Sequence, residues 1–290
     1  MLPQLLLNGL ISGAIYALTA LGFVVVFRAV RFFNFAHGAI YAIGAYVGYL
    51  AIVTFKLGVI PGFLIAASFS CIAGMTTDRF VYRPLRKRKS PNLIFLIASF
   101  GIFIVFQNLI QLVFGAQLLT IRTGQVKEGH HFLSTVITDI QIAIVLITFL
   151  VTVGLWLFSE RTKLGMEMRA VAEDQVGASV VGINPERTKL WAFAIGSSLA
   201  GFAGILISFE TNIEPTMGFN AILKAIIASI IGGIGSIPGA ALGGVLLGLA
   251  ENIGIWKINA GWKDAIAFGV LVFFLLLRPQ GILGRKSDRV

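Results

Sequence analysis

Cysteine and charge are both scarce in this sequence, and each scarcity excludes a class of protein. Cys71 is the single cysteine, so the chain cannot form an internal disulfide, and its place in an apolar run is typical of a small buried residue. Charged residues make up 12% of the chain, which is about half of their share in soluble domains. So little charge excludes an ordinary water-facing surface.

Motifs for nucleotide hydrolysis, nucleophilic catalysis and metal binding are also missing. Since no G-x-x-x-x-G-K-[ST] phosphate loop occurs, the chain is not expected to hydrolyse ATP by itself. GSSLAG at 196–201 approaches a nucleophile elbow but lies inside an apolar stretch, where small residues that pack helices explain it. His130 and His131 have no further ligands nearby, which is typical of a solvated loop. We therefore expect neither catalytic residues nor a metal site.

Apolar sequence is abundant, with 57% hydrophobic residues and a mean hydropathy of +0.90. About 20 consecutive apolar residues suffice to cross a bilayer as a helix. The pattern therefore predicts an all-α, polytopic transmembrane helix bundle that forms one domain over residues 1–290. Nine spans are predicted, at 5–27, 36–55, 59–78, 92–115, 138–158, 189–209, 220–236, 239–256 and 264–277. Eight result if the glycine-rich stretch after Ile230 is re-entrant.

The basic residues predict the orientation of these spans. Of 23 lysines and arginines, 17 fall in alternate connections, within 28–31, 79–89, 161–189 and 278–289. By the positive-inside rule these connections are cytoplasmic, which places the N-terminus outside and the C-terminus in the cytoplasm. The same distribution explains the net charge of +10 better than nucleic-acid binding, because no base-stacking aromatic residues are interleaved on a soluble module.

Glycines are numerous, and several recur four residues apart, as in Gly9/Gly13, Gly44/Gly48, Gly239/Gly243 and Gly244/Gly248. Such spacing favours close packing of helices within one bundle, and a helix seam with another subunit is the alternative. HGAIYAIGAYVG at 37–48 also aligns with PGAALGGVLLG at 238–248. This match indicates a possible parallel internal repeat of the first three spans by the last three.

A few polar residues interrupt the apolar spans. Gln107 and Gln111 share one helical face, where they either bond neighbouring helices or line a solute pathway. Glu251 lies near the end of a span, close to the outer interface or in the pathway. Asn34 and His37 occupy the break before the second span; Asn34 is expected to cap the next helix and a neutral His37 to bond a freed carbonyl. The alternative is that this break belongs to a gate.

The connection at 159–188 is the longest of the basic ones. GMEMRAVAEDQVGASVV has helical composition, Gly182 is placed to end the helix, and Asn184-Pro185 is placed to cap the next span. Its mixed charges and apolar residues predict a short helix on the cytoplasmic surface. That helix is either merely solvated or gripped by a cytoplasmic partner.

Four motifs carry a resemblance to a known family: FNFAHGAIYAIGAY, RAVAEDQVGASVVGIN, GGIGSIPGAALGGVLLG and LLLRPQGILGR. In this order, over about residues 5–285, they resemble the permease subunits of branched-chain amino acid ABC transporters, on the LivH side of the LivH/LivM family. The resemblance implies an importer for leucine, isoleucine and valine. The permeases of urea and short-chain amide importers look similar and give the alternative substrates.

The resemblance also implies an assembly in the cytoplasmic (inner) membrane of a bacterium or archaeon. Its members are a second, LivM-like permease, two cytoplasmic LivG/LivF-like ATPases that hold ATP and Mg, and an external solute-binding protein. This chain itself is then not an enzyme and binds no cofactor. The residues agree, since the chain has neither a phosphate loop nor a midspan carboxylate pair for ion coupling. A self-sufficient secondary transporter is the remaining alternative.

The resemblance further implies where the ATPases couple. The matching loop runs over 168–182, within 159–188, and the positions carried over are Arg169, Glu173, Asp174, Ala178 and Gly182. The sequence reads Ala172-Glu173-Asp174 where importers in general have Glu-Ala-Ala, and its spacing to Gly182 is longer.

A gate is hypothesised where two breaks in the apolar pattern meet. GSIPG at 235–239 contributes Ser236 and Pro238, and the break before the second span contributes Asn34 and His37. Together with Gln107 and Gln111 these are the expected pathway or gate residues.

Overall fold

A computed structural model describes residues 2–121, 129–132, 135–256 and 259–284. Its helices are α1 (Leu2–Val30), α2 (Ala36–Tyr49), α3 (Val59–Thr77), α4 (Arg83–Lys87), α5 (Asn92–Phe114), α6 (Asp139–Arg161), α7 (Lys163–Glu173), α8 (Gln175–Val180), α9 (Pro185–Ile207), α10 (Met217–Gly232), α11 (Ile237–Gly254) and α12 (Lys263–Leu277). Wider π-helical turns extend α2 over Leu50–Thr54 and join α3 to α4 over Asp78–Tyr82. Strands β1 (His130–Phe132) and β2 (Thr135–Ile137) form a small antiparallel hairpin, and Ala260–Trp262 is a 3₁₀ turn.

Seven helical segments of the described chain are long and apolar enough to cross a membrane. They are α1, α2 with its π turn, α3 with α4, α5, α6, α9 and α11. Helix α10 is apolar but has 16 residues, or about 24 Å, against a hydrocarbon core of about 30 Å. The all-helical, multi-pass membrane architecture predicted from the sequence is confirmed. The nine spans, the orientation and the repeat stay predictions.

The described residues group into two compact units. Helices α1, α6 and α10 each have residues in both units. The first contains residues within 1–24, 124–154 and 223–290, and the second contains residues within 25–123 and 155–222. The sequences of the predicted repeat lie in different units, since 37–48 falls in the second and 238–248 in the first.

Helix α2 is the centre of the second unit, packed by α3, α5 and α9. Its residues are buried on almost every side, which only small side chains allow at such close range. A Cβ added to Gly44 would lie 2.2 Å from the Cα of Gly201 on α9, and one added to Gly204 would lie 2.1 Å from the carbonyl oxygen of Tyr41. The α2 and α9 backbones therefore touch directly.

In the first unit, α11 packs in the same way against the start of α1. A Cβ on Gly248 would lie 2.3 Å from the Gly13 nitrogen, and one on Gly244 would lie 2.4 Å from the Ala17 nitrogen. On its other side, a Cβ on Gly243 would lie 2.0 Å from the Ala228 oxygen of α10. The glycine pairs thus pack helices within the chain, as the first of the two sequence interpretations held.

A substitution at Gly44 tests this packing. Gly44→Ala should lower the thermal midpoint of the purified protein, because the methyl group has no room beside Gly201 and overpacking costs roughly 1–3 kcal/mol. Gly101→Ala is the matched control, since nothing lies within 4 Å of a Cβ at that helical glycine. Equal midpoints for the two variants in one detergent would contradict the close α2–α9 contact.

Candidate functional site

The connection between α6 and α9 folds as two helices, where the sequence predicted one. The Thr162 side chain starts α7 by accepting a hydrogen bond from the Gly165 nitrogen at 3.0 Å. Asp174 then takes an extended conformation (φ −144°, ψ 113°), and its carboxylate accepts from the Val176 nitrogen at 2.9 Å to start α8. The single predicted helix is wrong because aspartate caps a new helix better than it continues an old one.

The end of α8 explains why glycine stands at position 182. The Ile183 nitrogen bonds the Ala178 oxygen at 3.0 Å, and the Gly182 nitrogen bonds the Ser179 oxygen at 3.1 Å. This is the Schellman pattern, in which the residue after the helix takes a left-handed conformation; φ at Gly182 is +87°. Asn184 next caps α9 by accepting from the Glu186 and Arg187 nitrogens. The predicted helix end and cap are confirmed.

Helix α8 presents apolar side chains to the outside. Val176, Val180 and Val181 are 72%, 81% and 74% exposed, beside the exposed Glu173 and Asp174. We call these five residues the α8 surface. Isolated exposed apolar residues are ordinary, but three between positions 176 and 181, next to two carboxylates, make a patch suited to a protein partner.

The five residues carried over for ATPase coupling divide by their environment. Glu173 and Asp174 belong to the α8 surface, whereas Ala178 is 5% exposed and faces inward. Gly182 acts through its backbone conformation. Arg169 pairs with Glu160, which ties α7 to the end of α6. The structure thus brings all five together on one short segment.

Helices α7 and α8 are bonded to other parts of the second unit. The Arg31 guanidinium donates to the Ala172 carbonyl at the end of α7. The Lys189 ammonium on α9 donates to the Gln175 side chain of α8 at 2.9 Å. A displacement of α7 and α8 would therefore act on α1 and α9 through charged hydrogen bonds, which are stronger than neutral ones.

A partly buried ion network holds the same end of α9 to α4. Arg86 donates through Nε and Nη2 to the two carboxylate oxygens of Glu186 at 3.0 and 2.9 Å. Its Nη1 donates to Asp78 Oδ1 at 2.7 Å, and Asp78 is 1% exposed. The planar fork of arginine is suited to such two-point binding. The sequence showed these charges as part of a basic connection and did not indicate the network.

The break before α2 lies inside the second unit. Asn34 and His37 are 1% and 0% exposed. The Tyr82 hydroxyl donates to Asn34 Oδ1 at 2.7 Å, so the Asn34 side chain does not cap α2, whose N-cap is Phe35 without a side-chain bond. The expected N-cap role of Asn34 is therefore wrong, because the N-cap position falls on Phe35 and the Asn34 oxygen accepts from the buried Tyr82 hydroxyl instead of a backbone nitrogen of α2.

Ser99 of α5 stabilises this break. Its hydroxyl oxygen accepts from the Phe35 nitrogen at 3.2 Å and lies 3.3 Å from the Phe33 carbonyl oxygen. Seven residues separate Ser99 from the start of α5 at Asn92, so the break lies about 10 Å along that helix. Backbone groups at such depth need partners inside the protein. One serine in an apolar run gave no sequence signal for this role.

Gln107 and Gln111 lie in the second half of α5. Gln107 is half-buried and Gln111 is exposed, while the neighbouring Asn108 bonds the Ile104 carbonyl of its own helix at 2.8 Å. Large apolar residues of the same helix are also exposed, among them Leu112 and Val113. The second half of α5 is therefore open in this single chain.

Ser236 and Pro238 start α11 in the first unit. The Ser236 hydroxyl accepts from the Gly239 nitrogen at 3.1 Å, and Pro238 occupies the first turn, where no hydrogen bond from its nitrogen is needed. The C-terminal motif packs beside them: the Ile282 and Leu283 nitrogens donate to the carbonyls of Ile231 and Gly232 at 3.0 and 2.9 Å. The motif thus satisfies the end of α10.

A buried charge cluster in the first unit was not expected. Glu251 on α11 is 0% exposed; it accepts from the Tyr16 hydroxyl at 2.7 Å and forms an ion pair with Lys224 of α10. Lys224 also lies 2.8 Å from Asp264 at the start of α12. The sequence contained a signal for this pair, because an isolated lysine and an isolated glutamate in apolar spans are each costly to bury without an oppositely charged partner.

No group of three or more histidine, cysteine or acidic residues that could hold a metal ion occurs in the described ranges. In the hairpin region, His130 Nε2 lies 2.7 Å from Asp139 Oδ1 at the start of α6.

Comparison with known proteins finds similar sequences over nearly the whole chain. The family described as "Branched-chain amino acid transport system / permease component" matches residues 5–275. The permease protein LivH of a high-affinity branched-chain amino acid transport system in Escherichia coli is 38% identical, over 98% of this chain and 96% of that protein. BraD of Pseudomonas aeruginosa, with the same description, is 40% identical over the same shares. A probable LivH of Methanocaldococcus jannaschii is 28% identical over 97% and 92%.

Proposed function

Because the chain belongs to the family of branched-chain amino acid transport permease components, we propose that it is a membrane-spanning subunit of an ATP-driven importer of leucine, isoleucine and valine. Relatives named for branched-chain amino acid transport, aligned over 98% of the chain, carry the choice of substrate. The seven apolar helices supply the membrane passage such a subunit needs. Urea and short-chain amides are the alternative substrates, carried by a closely similar importer.

The observation that carries the ATP-driven mechanism is the α8 surface. An apolar patch with two carboxylates, on helices tied to α1, α6 and α9, suits a partner whose movement must reach the membrane spans. The partners are two cytoplasmic ATPases of the LivG/LivF type, which hold ATP and Mg. ATP hydrolysis takes place there, and this chain transmits the displacement.

The remaining members of the assembly follow from the same function. A second, LivM-like permease completes the membrane unit, and an external binding protein delivers the amino acid. In the inner membrane the N-terminus lies outside and the C-terminus in the cytoplasm, as the distribution of basic residues favours. Helices α10 and α12 complete a total of nine spans.

The solute pathway is proposed to include the open part of α5, the buried break before α2 and the turn before α11. Gln111 is an exposed amide in a membrane span, which costs free energy in lipid and is favourable beside a polar solute. Gln107 lies one turn before it. Asn34 and His37 at one break, and Ser236 and Pro238 at the other, are proposed to gate the pathway.

Reconstitution separates this function from a secondary transporter. The chain, co-expressed with its partner subunits, should take up leucine into ATP-loaded proteoliposomes when the binding protein is outside, and leucine should stimulate ATP hydrolysis. Chain-only vesicles with an imposed proton or sodium gradient are the control. Uptake by that control at the rate of the complex would refute the ATP-driven mechanism, and uptake of urea but not leucine would refute the substrate.

A further inference from the structure

A polar cavity of about 320 Å³ lies in the second unit, lined by residues at the ends of α1, α4, α5, α8 and α9. We call it the α4–α9 cavity. Its lining residues are Val30, Phe32, Arg86, Ser90, Asn92, Phe95, Gln175, Glu186 and Lys189. Six of these nine are polar or charged, and the volume lies within the range of small-molecule sites. The lining therefore suits a small polar ligand.

The charged side chains at this cavity form one network with an excess of positive charge. Arg86 bonds Asp78 and Glu186. Two further cations lie beside Glu186, Arg83 at 3.7 Å and Lys189 at 3.6 Å, so three cations face two carboxylates. Both Glu186 oxygens already accept from Arg86, and Asp78 is not part of the lining. A cationic ligand would compete with Arg86, whereas an anion would offset the excess charge.

Charged residues that neighbour the lining in the chain have the same sign in excess. Within two positions of a lining residue there are six further cations and two further carboxylates. The cations are Arg28, Arg31, Lys87, Arg88, Lys89 and Arg187, and the carboxylates are Glu173 and Asp174. The acidic residues of the α8 surface therefore do not reverse the sign of the charge around the cavity.

Hydrogen-bond donors for an anion are present in the lining. The Lys189 side chain is 6% exposed and donates to Gln175 Oε1 at 2.9 Å, and an ammonium has three donors in all. In the part of the chain that the structure describes, no hydrogen bond engages the side chains of Ser90 or Asn92. A phosphate accepts several bonds at once, and these groups can donate to it without losing an existing partner.

The start of α5 belongs to the same cavity. Asn92 is the first residue of this 23-residue helix, and the N-cap residue Pro91 makes no side-chain bond to it. A helix N-terminus carries partial positive charge and unpaired backbone donors, both of which favour an anion. This contribution adds to the excess of cations in the network.

We propose that the α4–α9 cavity binds a phosphate group, taken from an anionic lipid headgroup or from free phosphate in solution. Lys189 and Asn92 donate to it, and its charge offsets the third cation of the network. Leu93 and Ile97 of α5 are 65% and 60% exposed, so the acyl chains of a bound lipid have an apolar face next to Asn92. The bound group links the start of α5 to α9 and thereby stabilises the protein, whichever solute the chain imports.

The test measures the thermal midpoint of the transporter complex, purified in a neutral detergent and stripped of lipid. Dioleoylphosphatidylglycerol should raise the midpoint more than dioleoylphosphatidylcholine does, or inorganic phosphate should raise it more than chloride at equal ionic strength. The first result assigns a lipid as the source of the phosphate group, and the second assigns a soluble anion. Stabilisation by neither overturns the proposal and leaves the proposed function intact.

Two variants decide whether the ligand acts at this cavity. Lys189→Gln should raise the half-saturating concentration of the stabilising ligand about tenfold or more, because a charge-assisted bond is lost. Lys163→Gln removes an exposed lysine of α7 and is the matched control, which should respond as wild type.

Asn92→Asp keeps the test valid if Lys189→Gln fails to fold. An aspartate at the start of α5 favours the helix but repels a phosphate. Without ligand, its midpoint should therefore equal or exceed that of wild type, while the stabilisation by ligand should fall several-fold. Undiminished stabilisation in either folded variant would place the ligand elsewhere and overturn the proposal.

Discussion

Replacing Val180 by aspartate is expected to abolish leucine uptake and leucine-stimulated ATP hydrolysis while the permease stays folded. Val180 is 81% exposed in the single chain, so an aspartate there costs little folding free energy. Against a docked ATPase the same carboxylate would be buried without a counter-charge, beside Glu173 and Asp174. Central interface residues contribute about 2 kcal/mol or more, which corresponds to roughly a thirtyfold loss of affinity.

The measurements are uptake, ATPase activity and recovery of the ATPase subunits with the tagged permease from detergent. Val180→Ile is the matched control, because it keeps the apolar surface, and it should retain near-normal coupling. The thermal midpoint of the isolated permease should agree between Val180→Asp and wild type. If Val180→Asp imports leucine at the wild-type rate, the α8 surface is not where the ATPases dock.

The buried pair of Lys224 and Glu251 gives the largest expected effect on stability. Glu251→Leu should reduce the folded fraction severely, because it leaves the Lys224 ammonium and the Tyr16 hydroxyl without their buried acceptor. Breaking a buried pair from one side costs about 3–5 kcal/mol. Asp264, at 2.8 Å from Lys224, offsets part of that cost.

The double variant Lys224→Met/Glu251→Leu tests whether the ion pair serves only the stability of the fold or also transport. It removes both charges at similar volume, so the thermal midpoint should return close to that of wild type. Detergent-solubilised material, followed by fluorescence-detected size exclusion on heating, gives the comparison. An unaltered midpoint in Glu251→Leu would disprove the ion pair, and a stable double variant that fails to import leucine would assign the pair a role in transport.

Much of the helical framework is predictable from the sequence because apolar length is a strong local signal. The predicted span at 92–115 corresponds to α5 at Asn92–Phe114, and the one at 59–78 to α3 at Val59–Thr77. Helix ends were also predictable where capping is local, as at Gly182 and Asn184. At Asp174 the preference of aspartate for a helix N-cap was present in the sequence. The helix-forming residues on both sides nevertheless favoured one continuous helix.

The site was less predictable, since its partners come from distant parts of the chain. Asn34 was expected to bond its own helix, yet it bonds Tyr82, 48 residues away. Arg86 and Glu186 are 100 residues apart, and their pairing depends on α4 packing beside α9. No local pattern carries such information.

By itself, then, the sequence determined that the chain is a multi-pass membrane protein, that it is helical, that it carries the family motifs and that the connection at 159–188 contains helix. Hydrophobic length, glycine spacing and helix caps act between near neighbours in the chain, so they can be read in order. Tertiary structure alone decided which polar groups meet: Ser99 with the break before α2, Lys224 with Glu251, and Lys189 of α9 with Gln175 of α8. A buried polar group must find a partner, and only the packing of the helices brings that partner within hydrogen-bonding distance.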